Sequence, residues 1–282
     1  MKLTFAKLST SGNDFILFDN RDHALTGEET DLFRNLCRRR FSVGADGVLL
    51  VEPGNDDDVV IMRYFNANGH EAPFCGNGAM ATAYYFYRKG LCSSPMTLKA
   101  GDGIHNVSFG EGGIVLRMSP AKGLSLGIPG SVLKSVASRH PTFINGQYQT
   151  GGLVDTGVPH AVLFVNDLSD LDVEGLGRHI RYHPAFQPQG TNVDFVRPEG
   201  ENKLSMRTYE RGVEEETLAC GTGVVAAAIL YGFQIGGGSP VHVNTLGGEY
   251  KVVFDKKLEQ IELKGQVKYI FDGEIEWDHQ GK

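Results

Sequence analysis

The chain has 282 residues, of which 41% are hydrophobic, and its formal net charge is −7 at pH 7. This length and composition allow one large core or two smaller ones and argue against an intrinsically disordered chain. Because an acidic chain has no broad positive field, nucleic acids and anionic membranes are disfavoured as partners, and small molecules are expected instead.

The predicted elements, in chain order, fall into two similar halves. In the first half, strands are predicted over 15–18, 48–51, 59–64 and 113–118, and a helix over 79–88. In the second half, strands are predicted over 161–165, 192–196, 203–209 and 250–254, and a helix over 224–233. Both helices are rich in alanine and apolar on nearly all faces, which is typical of a helix enclosed by sheet.

Two cysteine motifs carry the clearest sign of an internal repeat. The sequence CGNG at 75–78 and the sequence CGTG at 220–223 lie 145 positions apart, and Tyr64 and Tyr209 share this offset. Several matches in the same order at one spacing indicate two copies of one unit. We therefore predict an α+β fold with two pseudo-symmetric domains, each a curved sheet wrapped around a central helix.

Each motif places a thiol directly before a glycine-rich helix start. The first turn of a helix presents unpaired backbone N–H groups and the positive end of the helix dipole, so it suits an anion. The glycines let a carboxylate approach the backbone closely. Since helix N-termini lower thiol pKa values, we expect both Cys75 and Cys220 to be biased towards the thiolate.

Two such thiols suit the inversion of a stereocentre that bears hydrogen. One group removes a proton from one face of an α-carbon, and the other delivers a proton to the opposite face. The sequence has no CxxC pair and no HExxH motif, so no metal is expected. Because the paired thiols can supply both the acid and the base, pyridoxal phosphate is not expected either. Cys37 and Cys92 are interpreted as small buried side chains. The residues thus favour an amino-acid racemase or epimerase that acts without a cofactor.

Five segments resemble the diaminopimelate epimerase family. They are SGNDF at 11–15, GADG at 44–47, FNANGHEAPFCGNGA at 65–79, GTNVDF at 190–195 and YERGVEEETLACGTG at 209–223. The resemblance covers nearly the whole chain. It implies an isomerase that interconverts LL- and meso-2,6-diaminopimelate without pyridoxal phosphate, in lysine and peptidoglycan precursor synthesis. It also implies a homodimer.

The resemblance gives expectations for domain organisation and location. We expect an N-terminal epimerase repeat over residues 1–119, completed by 266–282, and a C-terminal repeat over 120–265. The active site is expected in the cleft between the two repeats. The N-terminal residues lack the sustained apolar run of a secretory signal, and the nearly apolar stretch 224–235 is too short for a membrane span. We therefore expect a cytoplasmic protein.

The resemblance also assigns residue roles. It implies that Cys75 and Cys220 are the acid/base pair and that His160 and Glu210 tune the pKa values of the thiols. The substrate-binding residues that it implies are Asn13, Asn66, Gly76, Asn77, Asn192, Glu210, Arg211, Gly221 and Thr222. Among these, backbone groups at the two helix starts would hold the reacting α-carboxylate, and Arg211 would bind a distal carboxylate through two hydrogen bonds.

The sequence departs from the family where substrate identity is decided. The family usually reads GNPH where this chain has Val158 before Pro159 and His160, so an apolar side chain replaces an amide. A racemase of another amino acid in the same fold is therefore an alternative. A second alternative is a redox-sensing or binding protein in which Cys75 and Cys220 form a reversible disulfide.

Overall fold

The computed structural model describes residues 2–54, 59–92, 94–110 and 113–277. The chain divides by contact into two compact units. The first unit is built from the chain up to Leu116 and the segment from Gly265 onward, and the second is Arg117–Lys264. Residues 278–282, at the end of the segment expected to complete the first repeat, lie outside the described residues.

The secondary structure is mainly strand. The strands are β1 Lys2–Thr10, β2 Asn13–Asp19, β3 Gly47–Pro53, β4 Val59–Asn66, β5 Glu71–Ala72, β6 Met96–Ala100, β7 Gly103–Gly110, β8 Gly113–Met118, β9 Lys122–Ser125, β10 Tyr148–Asp155, β11 Pro159–Val165, β12 Asn192–Gly200, β13 Lys203–Glu210, β14 Glu215–Thr217, β15 Val241–Asn244, β16 Glu249–Phe254, β17 Ile261–Gly265 and β18 Val267–Glu276. The α-helices are α1 Thr30–Cys37, α2 Gly76–Arg88, α3 Gly130–Arg139, α4 Val173–Arg181 and α5 Gly221–Leu230.

The two units repeat one order of strand pairing. In the first, β1–β2 is antiparallel, β2–β3 parallel, β3–β4 antiparallel, β4–β6 parallel and β6–β7 antiparallel. In the second, β10–β11, β11–β12, β12–β13, β13–β15 and β15–β16 follow the same sequence of directions. An antiparallel strand lies beside the first strand of each series, β18 beside β1 and β9 beside β10.

The register shows which positions of the two units are equivalent. Phe15 of β2 lies opposite Gly47 of β3, and His160 of β11 lies opposite Asn192 of β12. Each residue of the second pair is 145 positions after its counterpart in the first. The predicted duplication is therefore confirmed at the level of individual residue pairs.

The helix that follows each cysteine lies inside the strands of its own unit. Helix α2 contacts β1, β2, β3, β4, β6, β7 and β18, and α5 contacts β10, β11, β12, β13, β15 and β16. All residues of α5 except Thr222 are buried, which accounts for its apolar composition on every face. The predicted enclosure of each helix by sheet is confirmed.

The helix boundaries differ from the prediction. Both helices begin at the glycine directly after the cysteine, three residues earlier than predicted. Helix α5 ends at Leu230 and passes into a π-helical turn at Tyr231–Ile235. Glycine is a weak helix former, so the sequence predicts a turn before each helix, but in the structure these glycines belong to the first helical turn. None of the described helices has the length and apolar composition of a membrane-spanning helix.

The sequence pattern did not reveal the outer helices of the second unit. Helices α3 and α4 bury one face each against the sheet, in a core that includes Val132, Val136, Leu163, Val173, Leu176, Ile180, Phe195 and Tyr209. In the first unit, α1 buries Phe33, Leu36 and Cys37 in a corresponding core with Phe65. These helices therefore cover the side of each sheet that does not enclose the central helix.

The contact between α4 and β13 predicts a stability effect. A Cβ atom added to Gly177 would overlap with Cβ of Tyr209, a buried side chain. Gly177→Ala should therefore lower the free energy of unfolding by about 1–3 kcal/mol through overpacking, although alanine is the better helix former.

Urea unfolding followed by circular dichroism measures this effect. The matched control is Gly130→Ala in α3, where the added Cβ has nothing within 4 Å. That variant should stay within about 0.5 kcal/mol of the unsubstituted protein. Equal stabilities of the two variants would contradict the close contact at Gly177.

Candidate active site

The first helix start is capped by a cysteine. Cys75 has extended backbone dihedrals (φ −143°, ψ 114°) and its Sγ accepts a hydrogen bond from the N–H of Gly78 at 3.4 Å. A Cβ atom on Gly78 would lie 2.8 Å from Cδ2 of Leu49 on β3. Glycine at this position therefore lets the helix start pack directly against the strand and leaves the half-buried thiol of Cys75 at the N-cap.

Side chains from β1 and β2 hold this helix start in place. Asn77 is buried, and its Nδ2 donates to Oδ1 of Asn13 at 3.1 Å. The amide of Asn13 in turn donates to Oδ2 of Asp46 at 2.9 Å. The hydroxyl of Thr10 donates to the backbone oxygen of Asn77 at 3.0 Å. The structure thus brings together the predicted site residues Asn13, Asn77 and Cys75.

Asp46, which accepts the hydrogen bond from Asn13, belongs to an ion-pair network. Arg39 bonds to Oδ1 of Asp14 at 2.6 Å and to Oδ1 of Asp46 at 2.7 Å, and Lys7 lies 2.7 Å from Oδ2 of Asp14. Burial alone would raise the pKa of Asp14, but hydrogen bonds from Arg39 and Lys7 outweigh it and lower that pKa. Asp46 is therefore held by charge-assisted bonds while it orients Asn13.

Asn66, another predicted site residue, closes the turn that joins β4 to β5. Its N–H donates to the oxygen of His70 at 3.0 Å, and its own oxygen accepts from the N–H of Gly69 at 2.8 Å. The side chain is half-buried. Both hydrogen bonds are made by the backbone, so they close the turn without involving the side chain of Asn66.

The second helix start has the same cap but different surroundings. Cys220 precedes α5 with extended dihedrals (φ −116°, ψ 109°) and is 7% exposed. Its Sγ lies 3.4 Å from the hydroxyl of Thr222, which lies 3.0 Å from Nε2 of His160. The hydroxyl of Thr156 donates to the backbone oxygen of Thr222 at 3.0 Å, as Thr10 does to Asn77 in the first unit.

A buried carboxylate lies behind His160. Nδ1 of His160 is 2.7 Å from Oδ2 of Asp194, and both side chains are fully buried. The hydroxyl of Thr208 donates to Oδ1 of Asp194 at 2.8 Å. A Cβ atom on Gly223 would lie 2.5 Å from Oδ1 of Asp194, so this carboxylate packs directly against the helix start.

The remaining predicted residues lie at the ends of β12 and β13. Oδ1 of Asn192 accepts from the backbone N–H of Arg211 at 2.8 Å, and the guanidinium of Arg211 donates to the backbone oxygen of Gln189 at 3.0 Å. Glu210 accepts from the hydroxyl of Thr217 at 3.0 Å. Asn192 and Gln189 thus fix the backbone and the guanidinium of Arg211 beside the ends of these strands.

The expectation of a thiolate bias is wrong for Cys220. Burial is the largest cause that raises the pKa of its thiol well above the usual value, followed by the charges of Glu210 and Asp194. The hydroxyl of Thr222 and the N–H of Gly223 lower it only in part. The helix start was visible in the sequence, whereas the burial and the two carboxylates depend on the fold.

The other two thiols also have raised pKa values. Burial raises the pKa of Cys37, which lies in the core of the first unit, to about 12. Burial also raises the pKa of Cys92, which is half-buried. In the part of the chain that the structure describes, no group of three or more His, Cys, Asp or Glu side chains is placed to hold a metal ion.

Three residues of this site were missed by reasoning from sequence. Asp194 lies within the GTNVDF segment, but only the asparagine of that segment was assigned a role. A comparison of the two copies could have identified it, because Leu49 is the equivalent residue in the first unit. Thr10 and Thr156 were missed because a threonine at a strand end has many ordinary explanations.

A family model and curated relatives that match this chain carry the same description. A family model described as diaminopimelate epimerase matches residues 5–122 and 152–270. A curated relative of that name from Aquifex aeolicus is 35% identical and aligns over 97% of this chain and 98% of its own length. Another, from Caldanaerobacter subterraneus, is 38% identical over 97% of this chain and 100% of the relative.

The fold has relatives at much lower sequence identity. A crystal structure of a PhzF-family phenazine biosynthesis protein from Bacillus anthracis matches with a TM-score of 0.73 and 16% identity, covering 98% of this chain and 100% of that chain. That likeness concerns the fold alone. Because the family model covers most of the chain and the curated relatives align over nearly its whole length, the chain belongs to the diaminopimelate epimerase family.

Proposed function

We propose that this isomerase interconverts LL- and meso-2,6-diaminopimelate by proton transfer between Cys75, Cys220 and the α-carbon. One observation carries the proposal: the two cysteines cap the starts of equivalent enclosed helices, each followed by Gly-x-Gly. Such paired thiols suit a reaction in which each face of a carbon needs one acid/base group.

The proposed chemistry is a balanced transfer of protons. The thiolate of one cysteine takes the α-proton and becomes a thiol, while the thiol of the other gives its proton to the opposite face and becomes a thiolate. The reverse reaction exchanges these roles. Charge that develops at the substrate carboxylate would be stabilised by backbone N–H groups at the helix starts, namely those of Gly76, Asn77, Gly221 and Thr222.

The polar residues around Arg211 suit the rest of the substrate. We propose that Glu210 accepts hydrogen bonds from the α-ammonium group and that Arg211 binds the distal carboxylate with its planar guanidinium. Asn192 supports this arrangement because it fixes the backbone N–H of Arg211. Asn13 and Asn66 are assigned to the distal end on the family resemblance.

One observation favours a second candidate, a racemase of another amino acid. Val158 is half-buried and, by the 145-residue offset, is the counterpart of Asn13, so an apolar side chain stands where the first unit has an amide. Chiral chromatography after incubation with LL- and meso-diaminopimelate and with a panel of other amino acids decides between the two. We expect conversion of diaminopimelate only. Conversion of a monocarboxylic amino acid instead would favour the second candidate.

Location and assembly form a further part of the proposal. We place the enzyme in the cytoplasm, where two reduced thiols are maintained, and we propose a homodimer on the family resemblance. Size-exclusion chromatography with light scattering measures the assembly, and a monomer at assay concentrations would contradict it.

The proposed chemistry predicts that turnover needs no cofactor. Activity should persist after treatment with EDTA and with carbonyl reagents that trap pyridoxal phosphate, because the thiols supply both the acid and the base. Chiral chromatography before and after each treatment measures this. Loss of activity that returns when a metal or pyridoxal phosphate is added back would contradict the two-thiol chemistry.

A further inference from the structure

The two helix starts differ in the strand residues that pack against them. The strand register makes His160 the counterpart of Phe15, and by the same offset Asp194 is the counterpart of Leu49. Packing agrees, because a Cβ atom on the third helix residue would meet Leu49 in one unit and Asp194 in the other. An apolar pair in the first unit is therefore replaced by an imidazole and a carboxylate in the second.

These polar residues form a hydrogen-bonded chain that ends at the thiol. It runs from Sγ of Cys220 to the hydroxyl of Thr222 (3.4 Å), on to Nε2 of His160 (3.0 Å), and from Nδ1 to Asp194 (2.7 Å). Asp194 also accepts from Thr208, which agrees with an ionised carboxylate. Such a carboxylate accepts the Nδ1–H of His160 and leaves Nε2 as an acceptor. The hydroxyl of Thr222 lies 3.0 Å from Nε2, and the amide Nδ2 of Asn192, a second donor, lies 3.4 Å from it.

Each donor in this series of hydrogen bonds then donates in the direction from Cys220 to Asp194. The hydroxyl proton of Thr222 points to His160, so the oxygen of Thr222 presents a lone pair to the S–H of Cys220. In the first unit Asn77 stands at the position of Thr222, and its amide donates to Asn13. Phe15 and Leu49 carry no exchangeable side-chain proton, so no imidazole and carboxylate continue the chain there. The two thiols therefore have different routes by which a proton can leave.

We propose, on the basis of the proposed function, that Thr222, His160 and Asp194 form a proton relay that converts Cys220 from thiol to thiolate. The S–H proton passes to the oxygen of Thr222 as the hydroxyl proton of Thr222 passes to Nε2 of His160. The products are a thiolate and an imidazolium, and the carboxylate of Asp194 stabilises the imidazolium through Nδ1–H. Reversal of both transfers restores the thiol.

The surroundings of Cys220 explain why a relay is useful. The charged or titratable groups that face it are Glu210 on β13, Asp194 on β12 and His160 on β11. A thiolate beside two carboxylates in a buried position is unfavourable unless a positive charge forms close by. The relay creates that charge on His160. Thr222, His160 and Asp194 thus act through Cys220, as positioning residues.

Thiol reactivity without substrate tests the relay. Iodoacetamide alkylation of Cys220 is followed by mass spectrometry over pH values around the ordinary thiol pKa of about 8.5, with Cys75 as the internal reference. In Thr222→Val, the ratio of Cys220 to Cys75 labelling near neutral pH should fall about tenfold, which is one unit in the apparent pKa. Thr222→Ser, which keeps the hydroxyl, should restore the labelling.

Two further variants test the relay at His160 and Asp194, so that the test does not depend on the folding of the Thr222 variants alone. In Asp194→Asn, the amide favours the Nε2–H tautomer of His160, so labelling should fall and the ¹⁵N shifts of His160 should report the change of tautomer. The double variant His160→Phe, Asp194→Leu copies the apolar pair of the first unit and should lose the same reactivity. Circular dichroism establishes that each variant is folded.

Unchanged pH dependence of Cys220 labelling in folded Thr222→Val and Asp194→Asn would overturn the relay. Equal losses in Thr222→Val and Thr222→Ser would also overturn it, because the hydroxyl would then be irrelevant. Since these measurements use no substrate, they are independent of the proposed function. A chain that failed to epimerise diaminopimelate could still have the relay, and an active epimerase could lack it.

Discussion

Replacement of either Cys75 or Cys220 by serine should lower the turnover of LL- and meso-diaminopimelate by a factor of about 10²–10⁴, the range of positioned acid/base groups. Serine is similar in size to cysteine, but its hydroxyl proton is far harder to remove. Chiral chromatography measures the loss. Cys92→Ser is the matched control and should keep full turnover, because the half-buried Cys92 is not part of either helix start.

The two serine variants should differ in a partial reaction. Elimination of HX from a β-halogenated substrate needs proton removal from one face and no reprotonation at the α-carbon. Each variant retains a cysteine on one face only, so Cys75→Ser and Cys220→Ser should prefer substrates of opposite α-configuration. Halide release from both diastereomers measures this preference. The same preference in both variants would contradict the assignment of one thiol to each face.

Mild oxidation should abolish activity by linking Cys75 to Cys220. Two thiols that act on one α-carbon need to lie within a few ångströms of disulfide geometry. Dithiothreitol should restore turnover, and peptide mapping of the inactive protein should find this bond. A Cys92→Ser variant should respond to oxidant in the same way.

The raised pKa of Cys220 sets the pH dependence of this inactivation. Because the thiolate is the reactive form and the pKa of Cys220 lies above its usual value, oxidation should become faster as the pH rises. A disulfide between Cys37 and Cys92 in the inactive protein would contradict the assignment of the thiols. Inactivation without any disulfide would do the same.

The fold could be predicted from the sequence because both copies of the repeated unit carry the same motifs at a constant offset. The 145-residue offset between the cysteine motifs reappears in the strand register, where Phe15 and His160 occupy equivalent places. Alanine-rich apolar segments predicted the enclosed helices, since apolar residues on every face require burial on every side. Helices α3 and α4 were not predicted, although the residues that each buries follow helical spacing: Val132 and Val136 in α3, and Val173, Leu176 and Ile180 in α4.

The chemistry of the second helix start could not be predicted in the same way. A cysteine before Gly-x-Gly suggests a lowered pKa, yet the pKa of Cys220 is raised by burial and by carboxylates on two other strands. The family resemblance assigns a role to the backbone of Thr222, whereas in the structure its hydroxyl also contacts Cys220 and His160. Asp194 lies in an apolar strand, and only folding places it against His160. Both the raised pKa of Cys220 and the contact between Asp194 and His160 depend on residues that are far apart in sequence and close together only in the fold.

The isotopic content of the first product formed in D₂O tests the central claim most directly. LL-diaminopimelate is incubated with the enzyme, and the α-proton signals of substrate and product are followed by NMR at low conversion. If one thiol removes the proton and the other delivers a solvent-derived deuteron, the new meso product should carry deuterium at the inverted carbon while the remaining substrate keeps its proton. A meso product that retains the substrate's own proton would show a single base, and an absence of inversion would contradict the proposed reaction altogether.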